Sequence, residues 1–371
     1  MSIRLQRLIE RLAAAGWIGA ALMPSTNLTY LTGLRFHPGK RLTLLLISAN
    51  GDTPVMVVPQ LELERVRAAS PFAMRYFAWN DAEGPLNALA AGMTAAFGAG
   101  TLTRPLAIEH TVMRVMELRM LETVAPGLQT VNIDPLISEL RMVKDGEELA
   151  LMERAVAIVE QALHAFLAQV RPGLSERVLS RMLHDAIIAA GADSESFTNI
   201  VASGPNSANP HHENSDRILQ LGDLVIIDCG AVYRGYQSDI TRTIAIGEPT
   251  AAARHVYDVV LAANTAAREA CRPGVTGAAI DAAARSVIEA AGYGAAFVHR
   301  TGHGLGLETH ELPNIVAGSD TPLAPGTTFT IEPGIYLPGQ YGVRIEDDVV
   351  ITEEGSRSLT TFSRELIVIQ E

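Results

Sequence analysis

The sequence predicts a mixed α/β (α+β) protein of two domains, and three observations carry this prediction. The chain has 371 residues, more than one hydrophobic core usually organises. Strand-like and helix-like segments alternate in its first part, as in an α/β layer domain. The rest follows the order helix, helix, strand, hairpin, and then repeats that order. We place the domains at residues 1–136 and 137–371.

The elements of the first domain follow from hydrophobic periodicity. The predicted helices cover Ile3 to Ala15, Pro85 to Phe97 and Val112 to Leu121, and the predicted strands cover Ile18 to Met23, Leu44 to Ile47, Val55 to Val58 and Pro105 to Glu109. The second domain opens with a strongly periodic helix from about Gly146 to Val170.

The second domain carries a duplication. Gly222 to Gly230 and Gly326 to Gly334 share the frame glycine, five residues, an acid, one residue, glycine. Upstream, Arg171-Pro172-Gly173 recurs as Arg272-Pro273-Gly274, where proline and glycine separate the two helices of each copy. The second helix pair covers Ala251 to Cys271 and Ala278 to Ala291. Two such copies predict pseudo-twofold halves around one curved antiparallel sheet, with the helices outside.

Each copy presents two acids from one hairpin. Asp228 and Asp239 belong to the first hairpin, and Glu332 and Glu346 belong to the second. Facing side chains on neighbouring strands lie about 5 Å apart, so the two acids of a hairpin can share a site. Four converging carboxylates would raise one another's pKa and destabilise the fold unless divalent cations neutralise them. The hairpins therefore predict a metal site.

One histidine completes this donor set. His303 lies between two glycines, where the backbone can approach closely and the ring can project into the concave face. Carboxylates with one imidazole and no thiolate favour Mn²⁺, Co²⁺, Fe²⁺ or Zn²⁺ over copper, and five ligands favour two ions. A single acid at a strand end is more often a cap or a surface ion-pair partner, and a lone histidine is more often a core residue. The paired occurrence in both copies favours the metal site.

These motifs resemble those of the "pita-bread" metallopeptidases. The matching segments are Gly222 to Gly230, Ser238 to Thr243, Gly302-His303-Gly304, Ile331 to Gly334 and Val343 to Asp347. Ser203 to Asn206, Pro210-His211 and Thr309-His310-Glu311 are similar to the branch of Xaa-Pro dipeptidases (prolidases) and aminopeptidase P, and Asn27 to Gly33 is similar to its N-terminal creatinase-like domain. All five ligand positions are filled, whereas creatinases and binding-only relatives lack the metal set.

The resemblance implies roles for the donors. Asp228 would bind one ion, Asp239 and Glu346 would bridge both, and His303 and Glu332 would bind the other. The ions, Mn²⁺ first among the candidates, would activate a water for attack on the scissile carbonyl. Glu332 is the candidate for moving a proton from that water to the leaving nitrogen, because a proline nitrogen departs well only when protonated.

Three further residues are candidates for substrate contact. His310 is expected to hydrogen-bond the carbonyl oxygen or the tetrahedral intermediate, although it could simply cap a turn. His211 is expected at the proline side of the substrate, and we favour it over His212 because it directly follows Pro210. Arg344 shares a strand face with Glu346 and could orient Asp239 or bind a substrate carboxylate; a purely structural ion pair is an equal alternative.

The implied function is a two-metal exopeptidase that cleaves between an N-terminal residue and proline, acting on dipeptides or on longer peptides. A creatinase-like hydrolase or lyase of a small non-peptide substrate is the alternative on the same fold, and a non-catalytic binding protein is a third. A net charge of −12 disfavours nucleic acid and anionic membranes as partners. Only two cysteines and no unbroken apolar run favour a soluble cytoplasmic protein. The resemblance also implies a homodimer.

Overall fold

The computed structural model describes residues 2–36, 39–100 and 102–370. The chain divides into two compact units, Met1–Arg141 and Met142–Glu371. The boundary proposed from the sequence, between residues 136 and 137, lies within the helix Asp134–Met142. The predicted α/β class is confirmed, because both units combine helices with sheets.

The N-terminal unit is built on a mixed six-stranded sheet. Its helices are α1 (Ile3–Ala14), α2 (Thr26–Thr32), α3 (Leu63–Ala69), α4 (Leu86–Phe97), α5 (Val115–Val124) and α6 (Asp134–Met142). Its strands are β1 (Gly19–Leu22), β2 (Leu44–Ser48), β3 (Val55–Pro59), β4 (Arg75–Trp79), β5 (Leu106–Ile108) and β6 (Thr130–Asn132). They are ordered β4-β3-β2-β1-β5-β6 in the sheet. Strands β1, β2 and β3 are buried along their whole length, as continuous apolar strands covered on both faces should be.

The C-terminal unit contains the duplicated elements. Its helices are α7 (Gly146–Leu167), α8 (Glu176–Ala189), α9 (Ala251–Ala270) and α10 (Gly277–Ala290). Its strands are β7 (Ser194–Glu195), β8 (Ile200–Ser203), β9 (Leu224–Cys229), β10 (Ala231–Tyr233), β11 (Tyr236–Gln237), β12 (Ile240–Ile246), β13 (Gly302–Gly304), β14 (Glu311–Ile315), β15 (Thr328–Ile331), β16 (Gly334–Leu337), β17 (Tyr341–Arg344), β18 (Asp347–Ile351), β19 (Ser356–Ser358) and β20 (Ile367–Ile369).

The break between the helices is the same in both copies. Gly173 and Gly274 have φ values of 89° and 80°, which a side chain would disfavour. Ser175 then caps α8 by accepting a hydrogen bond from the Val178 amide, and Thr276 caps α10 through the Ala279 amide. The repeated Arg-Pro-Gly therefore ends one helix and places a hydroxyl residue to begin the next.

The strands of the two halves form separate ladders rather than one continuous ladder. The first half is ordered β20-β12-β9-β8, and the second is ordered β14-β13-β15-β18-β19. The two meet where the Glu346 amide donates to the Thr241 carbonyl and Thr243 Oγ1 bonds the backbone of Arg344. Helices α7 and α8 cover the first ladder, and α9 and α10 cover the second. Within the part of the chain that the structure describes, no helix has the length and apolar character needed to cross a bilayer.

Candidate active site

A cavity of about 630 Å³ lies where the two ladders meet. All eight side chains that the sequence singles out as site residues line it. They are His211, Asp228, Asp239, His303, His310, Glu332, Arg344 and Glu346. Phe197, Ile200 and Pro210 add an apolar wall to this polar set. A concave pocket with converging polar groups is the form that small-molecule and peptide sites take.

The first hairpin turns at Arg234-Gly235, as its sequence predicts, with φ of 49° and 88°. Asp228 is paired with Thr241, and Asp239 lies two positions before Thr241, just ahead of β12, rather than directly opposite Asp228. Positions two residues apart on a strand share a face, which brings both acids to the cavity side. In the second hairpin, Glu332 follows β15 and Glu346 precedes β18, next to the pair Ile331 and Asp347.

Helix α9 supports this second pair of acids. Buried Asn264 donates from Nδ2 to the carbonyls of Ile331 and Ile345, at 3.1 and 3.2 Å. These carbonyls immediately precede Glu332 and Glu346. One amide therefore satisfies two backbone oxygens where the strands end, and it holds both carboxylates in register.

The donor atoms of Asp239, His303 and Glu346 lie within 4.8 Å of one another, a spacing that could hold a metal ion. His303 Nε2 is 3.3 Å from Glu332 Oε1 and 3.8 Å from Asp239 Oδ2. Oδ1 of Asp228 and Oδ1 of Asp239 are buried without a hydrogen-bond partner among the described residues. Unpaired buried carboxylate oxygens are costly, so these atoms fit a cation that is coordinated at this position.

The electrostatics of the cluster favour the same interpretation. Burial raises the pKa of Asp239 and of Glu346 well above the ordinary values, and repulsion from neighbouring carboxylates, Asp228 and Glu332 among them, raises both further. Burial also raises the pKa of Glu332 to about 7. The pKa of His303 falls to about 3, chiefly because its ring is buried. The imidazole is thus neutral near pH 7, the form that can bind a metal.

Arg344 is held by protein partners at each of its nitrogens. Nη2 donates to Asp228 Oδ2 at 2.5 Å, Nη1 to the Tyr336 hydroxyl at 2.8 Å, and Nε to Thr241 Oγ1 at 3.1 Å. Thr241 Oγ1 in turn donates to Glu346 Oε2 at 2.7 Å. The guanidinium orients Asp228 directly and Glu346 through Thr241, rather than Asp239.

The Tyr336 hydroxyl continues this network to His299, whose Nε2 accepts at 2.8 Å. Nδ1 of the same ring lies 2.7 Å from the Arg300 carbonyl, which assigns the proton to Nδ1. Burial lowers the pKa of His299 to about 4, so the ring stays neutral at physiological pH. The hydrogen bonds from the Tyr336 hydroxyl to His299 and from His299 to the Arg300 carbonyl therefore fix the tautomer of His299, which lines the cavity.

The two neighbouring histidines of the 203–215 segment point to different partners. His211 lines the cavity, whereas His212 Nε2 lies 2.7 Å from Glu176 Oε2. Glu176 is fully buried and also accepts from Ser203 and Ser215, each through its amide and its hydroxyl. Burial alone would raise the pKa of Glu176. The hydrogen bonds from Ser203, Ser215 and His212 outweigh burial and lower this pKa to about 2. A permanent carboxylate therefore shapes the segment that carries His211.

His310 lies against the proposed metal ligand His303. Their ring centroids are 4.2 Å apart in an edge-to-face arrangement. Burial lowers the pKa of His310, and the positive charge of Arg300 lowers it further. A neutral His310 at the cavity wall can donate a hydrogen bond to a substrate oxygen.

The sequence did not single out Arg300, Glu176 or Asn264. Arg300 lies three residues before His303 in a run of polar residues, a position that could have drawn attention to it. Glu176 and Asn264 lie within ordinary helical patterns, and their partners are distant in sequence. Nothing in the local pattern distinguishes them from a helix-capping acid or a surface amide.

Comparison with known proteins identifies the family that shares this architecture. Residues 150–353 match the profile described as Metallopeptidase family M24, and residues 4–143 match the Creatinase/Prolidase N-terminal domain. "Probable dipeptidase PepE" of Mycobacterium tuberculosis is 41% identical over 361 residues, which is 96% of this chain and 93% of that protein. "Xaa-Pro dipeptidase" of Pyrococcus furiosus is 38% identical and covers 86% of this chain and 88% of its own.

The solved structure of a dipeptidase from Pyrococcus horikoshii OT3 superimposes with a TM-score of 0.93 at 41% identity, and the match covers 99% of this chain and 100% of that one. These matches span both units, and they confirm the creatinase-like and pita-bread domains that the motifs predict. The chain belongs to metallopeptidase family M24.

Proposed function

We propose that this chain is an Xaa-Pro dipeptidase, a dinuclear-metal exopeptidase that hydrolyses the bond between an N-terminal residue and proline. The observation that carries the proposal is the convergence of four carboxylates and one neutral imidazole on one cavity. A relative of similar length carries the name Xaa-Pro dipeptidase, and the apolar wall at Phe197, Ile200 and Pro210 suits a proline ring.

The residues proposed to hold two divalent ions are Asp228, Asp239, His303, Glu332 and Glu346. Bound there, the ions would supply Lewis-acid activation of a water and polarise the scissile carbonyl. Mn²⁺ is the ion we propose first, because the donors are oxygens with a single imidazole. The unpaired Oδ1 atoms of Asp228 and Asp239 support this assignment.

The remaining chemistry is proposed for the side chains of the chain. Glu332 is proposed to accept a proton from the activated water and to release it to the leaving nitrogen. The proline nitrogen needs that proton to leave. His310 is proposed to donate to the substrate oxygen, and His211 to contact the proline side of the substrate. Arg344 is engaged with Asp228 and Tyr336, which supports a positioning role rather than direct contact with substrate.

Chelation tests the proposal directly. We expect hydrolysis of Gly-Pro to disappear with EDTA and to return with Mn²⁺, while hydrolysis of Gly-Ala stays low throughout. Activity that is indifferent to chelation, or turnover of creatine-like compounds but not of Gly-Pro, would favour the creatinase-like alternative. Bound metal far below stoichiometric amounts, with no activity after Mn²⁺ is added, would favour a binding protein.

The substitution Asp239→Asn tests the assignment of Asp239 as a metal ligand. It should remove metal and activity together and leave the circular dichroism spectrum unchanged, because the hairpin does not depend on the charge. Wild-type turnover by this variant would refute the ligand assignment. We also propose that the chain forms a homodimer, which light scattering on the purified protein tests.

A further inference from the structure

We propose that Arg300 binds the free C-terminal carboxylate of the substrate and thereby restricts this site to dipeptides. The inference rests on the proposed Xaa-Pro dipeptidase function. It addresses a feature that the metal ligands leave open, namely whether a longer peptide can occupy the same cavity.

The side chain of Arg300 lines the cavity with most of its donors free. Nη1 donates to Asn314 Oδ1 at 2.7 Å. Nε and Nη2 have no hydrogen-bond partner within the described residues 2–36, 39–100 and 102–370. A guanidinium that is tied at one corner and open along an edge can present two parallel donors to a carboxylate.

The backbone around Arg300 is braced by hydrogen bonds, which fixes the point from which its side chain extends. Arg285 donates to the carbonyls of Phe297 and His299, at 3.1 and 3.0 Å. Thr301 Oγ1 donates to Asp281 Oδ1 at 2.7 Å, and the Thr301 amide pairs with the Ile315 carbonyl. Asn314 itself faces His303 in the ladder between β13 and β14. The residue that anchors Arg300 is thus fixed to the strand that carries a proposed metal ligand.

Among the charged side chains of the cavity, Arg300 is the one available to bind the substrate carboxylate. Among the residues that the structure describes, two arginines line the cavity, and Arg344 is committed to Asp228, Tyr336 and Thr241. The four carboxylates are the proposed metal ligands. Arg300 is therefore the cation available to an anionic end of the substrate.

The consequence is a preference that depends on one charge. In an Xaa-Pro dipeptide the carboxylate belongs to the proline itself, so it follows the scissile bond by a single residue. In a longer peptide that position is an uncharged amide. A charge-assisted pair lost in this way changes affinity by about 10- to 100-fold.

The experiment compares Ala-Pro with Ala-Pro-NH₂, which differ only in that charge, using the metal-loaded enzyme. The wild type should hydrolyse Ala-Pro with a KM lower by about 10- to 100-fold. Arg300→Gln should raise the KM for Ala-Pro toward that for the amide and leave kcat and the KM for the amide nearly unchanged. Arg300→Lys should recover part of the difference, because it keeps the charge but loses the fork.

Two further measurements separate this inference from the proposed function. Product inhibition by L-proline should weaken in Arg300→Gln, and inhibition by L-prolinamide should not. Arg272→Gln, which removes an exposed arginine outside the cavity lining, is the control for charge loss. Equal KM values for the two substrates in the wild type, or a KM ratio that Arg300→Gln does not change, would overturn the role of Arg300. Failure of the wild type to hydrolyse either substrate would overturn the proposed function instead.

Discussion

At the scale of single residues, the site depends on buried polar groups that bind backbone rather than substrate. Glu176 and Asn264 each hold loop or strand-end segments that carry site residues. Each is fully buried, and each satisfies several donors or acceptors at once. Removing one such partner leaves buried groups unpaired, which costs more than the hydrogen bond itself contributes.

Glu176→Gln should reduce kcat/KM for Gly-Pro by about tenfold or more and lower the free energy of unfolding by about 2 kcal/mol. The amide nitrogen of glutamine cannot accept from the Ser203 or Ser215 donors, so the segment that carries His211 loosens. Metal content should not change, because no proposed ligand lies on that segment. Glu213→Gln, the same change at an exposed residue of the segment, is the control. Wild-type kinetics in Glu176→Gln would show that the network does not position His211.

At the scale of elements, β13 shows why histidine stands between glycines. An added Cβ at Gly302 would lie 1.9 Å from the Thr330 carbonyl oxygen, and one at Gly304 would lie 2.1 Å from the Leu312 carbonyl oxygen. Neighbouring strands therefore press on β13 from both sides, and only the middle residue has room for a side chain. That close packing directs the His303 ring toward the cavity.

Gly302→Ala should destabilise the protein by about 1–3 kcal/mol, because β15 must shift to accept the methyl group. The shift should also weaken metal binding, since His303 is the next residue. Gly146→Ala is the matched control: it begins α7 with open space around the new methyl group, and its effect should stay within about 0.5 kcal/mol. Urea denaturation and metal titration of both variants measure the difference. Equal stability of the two variants would contradict the close packing described here.

At the scale of the whole catalytic unit, neither half contains the complete donor set. Asp228 and Asp239 come from the first copy, and His303, Glu332 and Glu346 come from the second. Each copy has a separate hydrophobic core, so packing stabilises the halves while the carboxylates between them repel one another. The net stability of the unit should therefore depend on pH and on bound metal.

The metal-free protein should become less stable as the pH rises above about 6.5. There the pKa of folded Glu332, about 7 against an ordinary 4.5, makes the folded state bind more protons than the unfolded state. The raised pKa values of Asp239 and Glu346 act in the same direction. Below that pH the lowered pKa values of His299, His303 and His310 act in the opposite direction, because the unfolded imidazoles still bind protons. Thermal melts of EDTA-treated protein above about pH 6.5 measure the effect, and Mn²⁺ should abolish most of it. A Tm that rises with pH in this range in the absence of metal would contradict the assignment.

The duplication made much of this predictable. Repeated frames placed both hairpins, and the eight residues chosen from them and from the neighbouring motifs all line one cavity. The periodic helices α7, α9 and α10 lie within a few residues of their predicted ends. Arg300, Glu176 and the separation of the ladders were not predictable, because each depends on contacts between segments far apart in the chain. A local pattern contains no information about such partners.

The hydrogen bond from the Glu346 amide to the Thr241 carbonyl joins corresponding regions of the two copies. Two identical copies assembled around an axis would display the same chemistry twice. Two copies within one polypeptide are free of that constraint. Here one copy carries the imidazole donor and the other carries the segment that bears His211, so the centre they form is asymmetric.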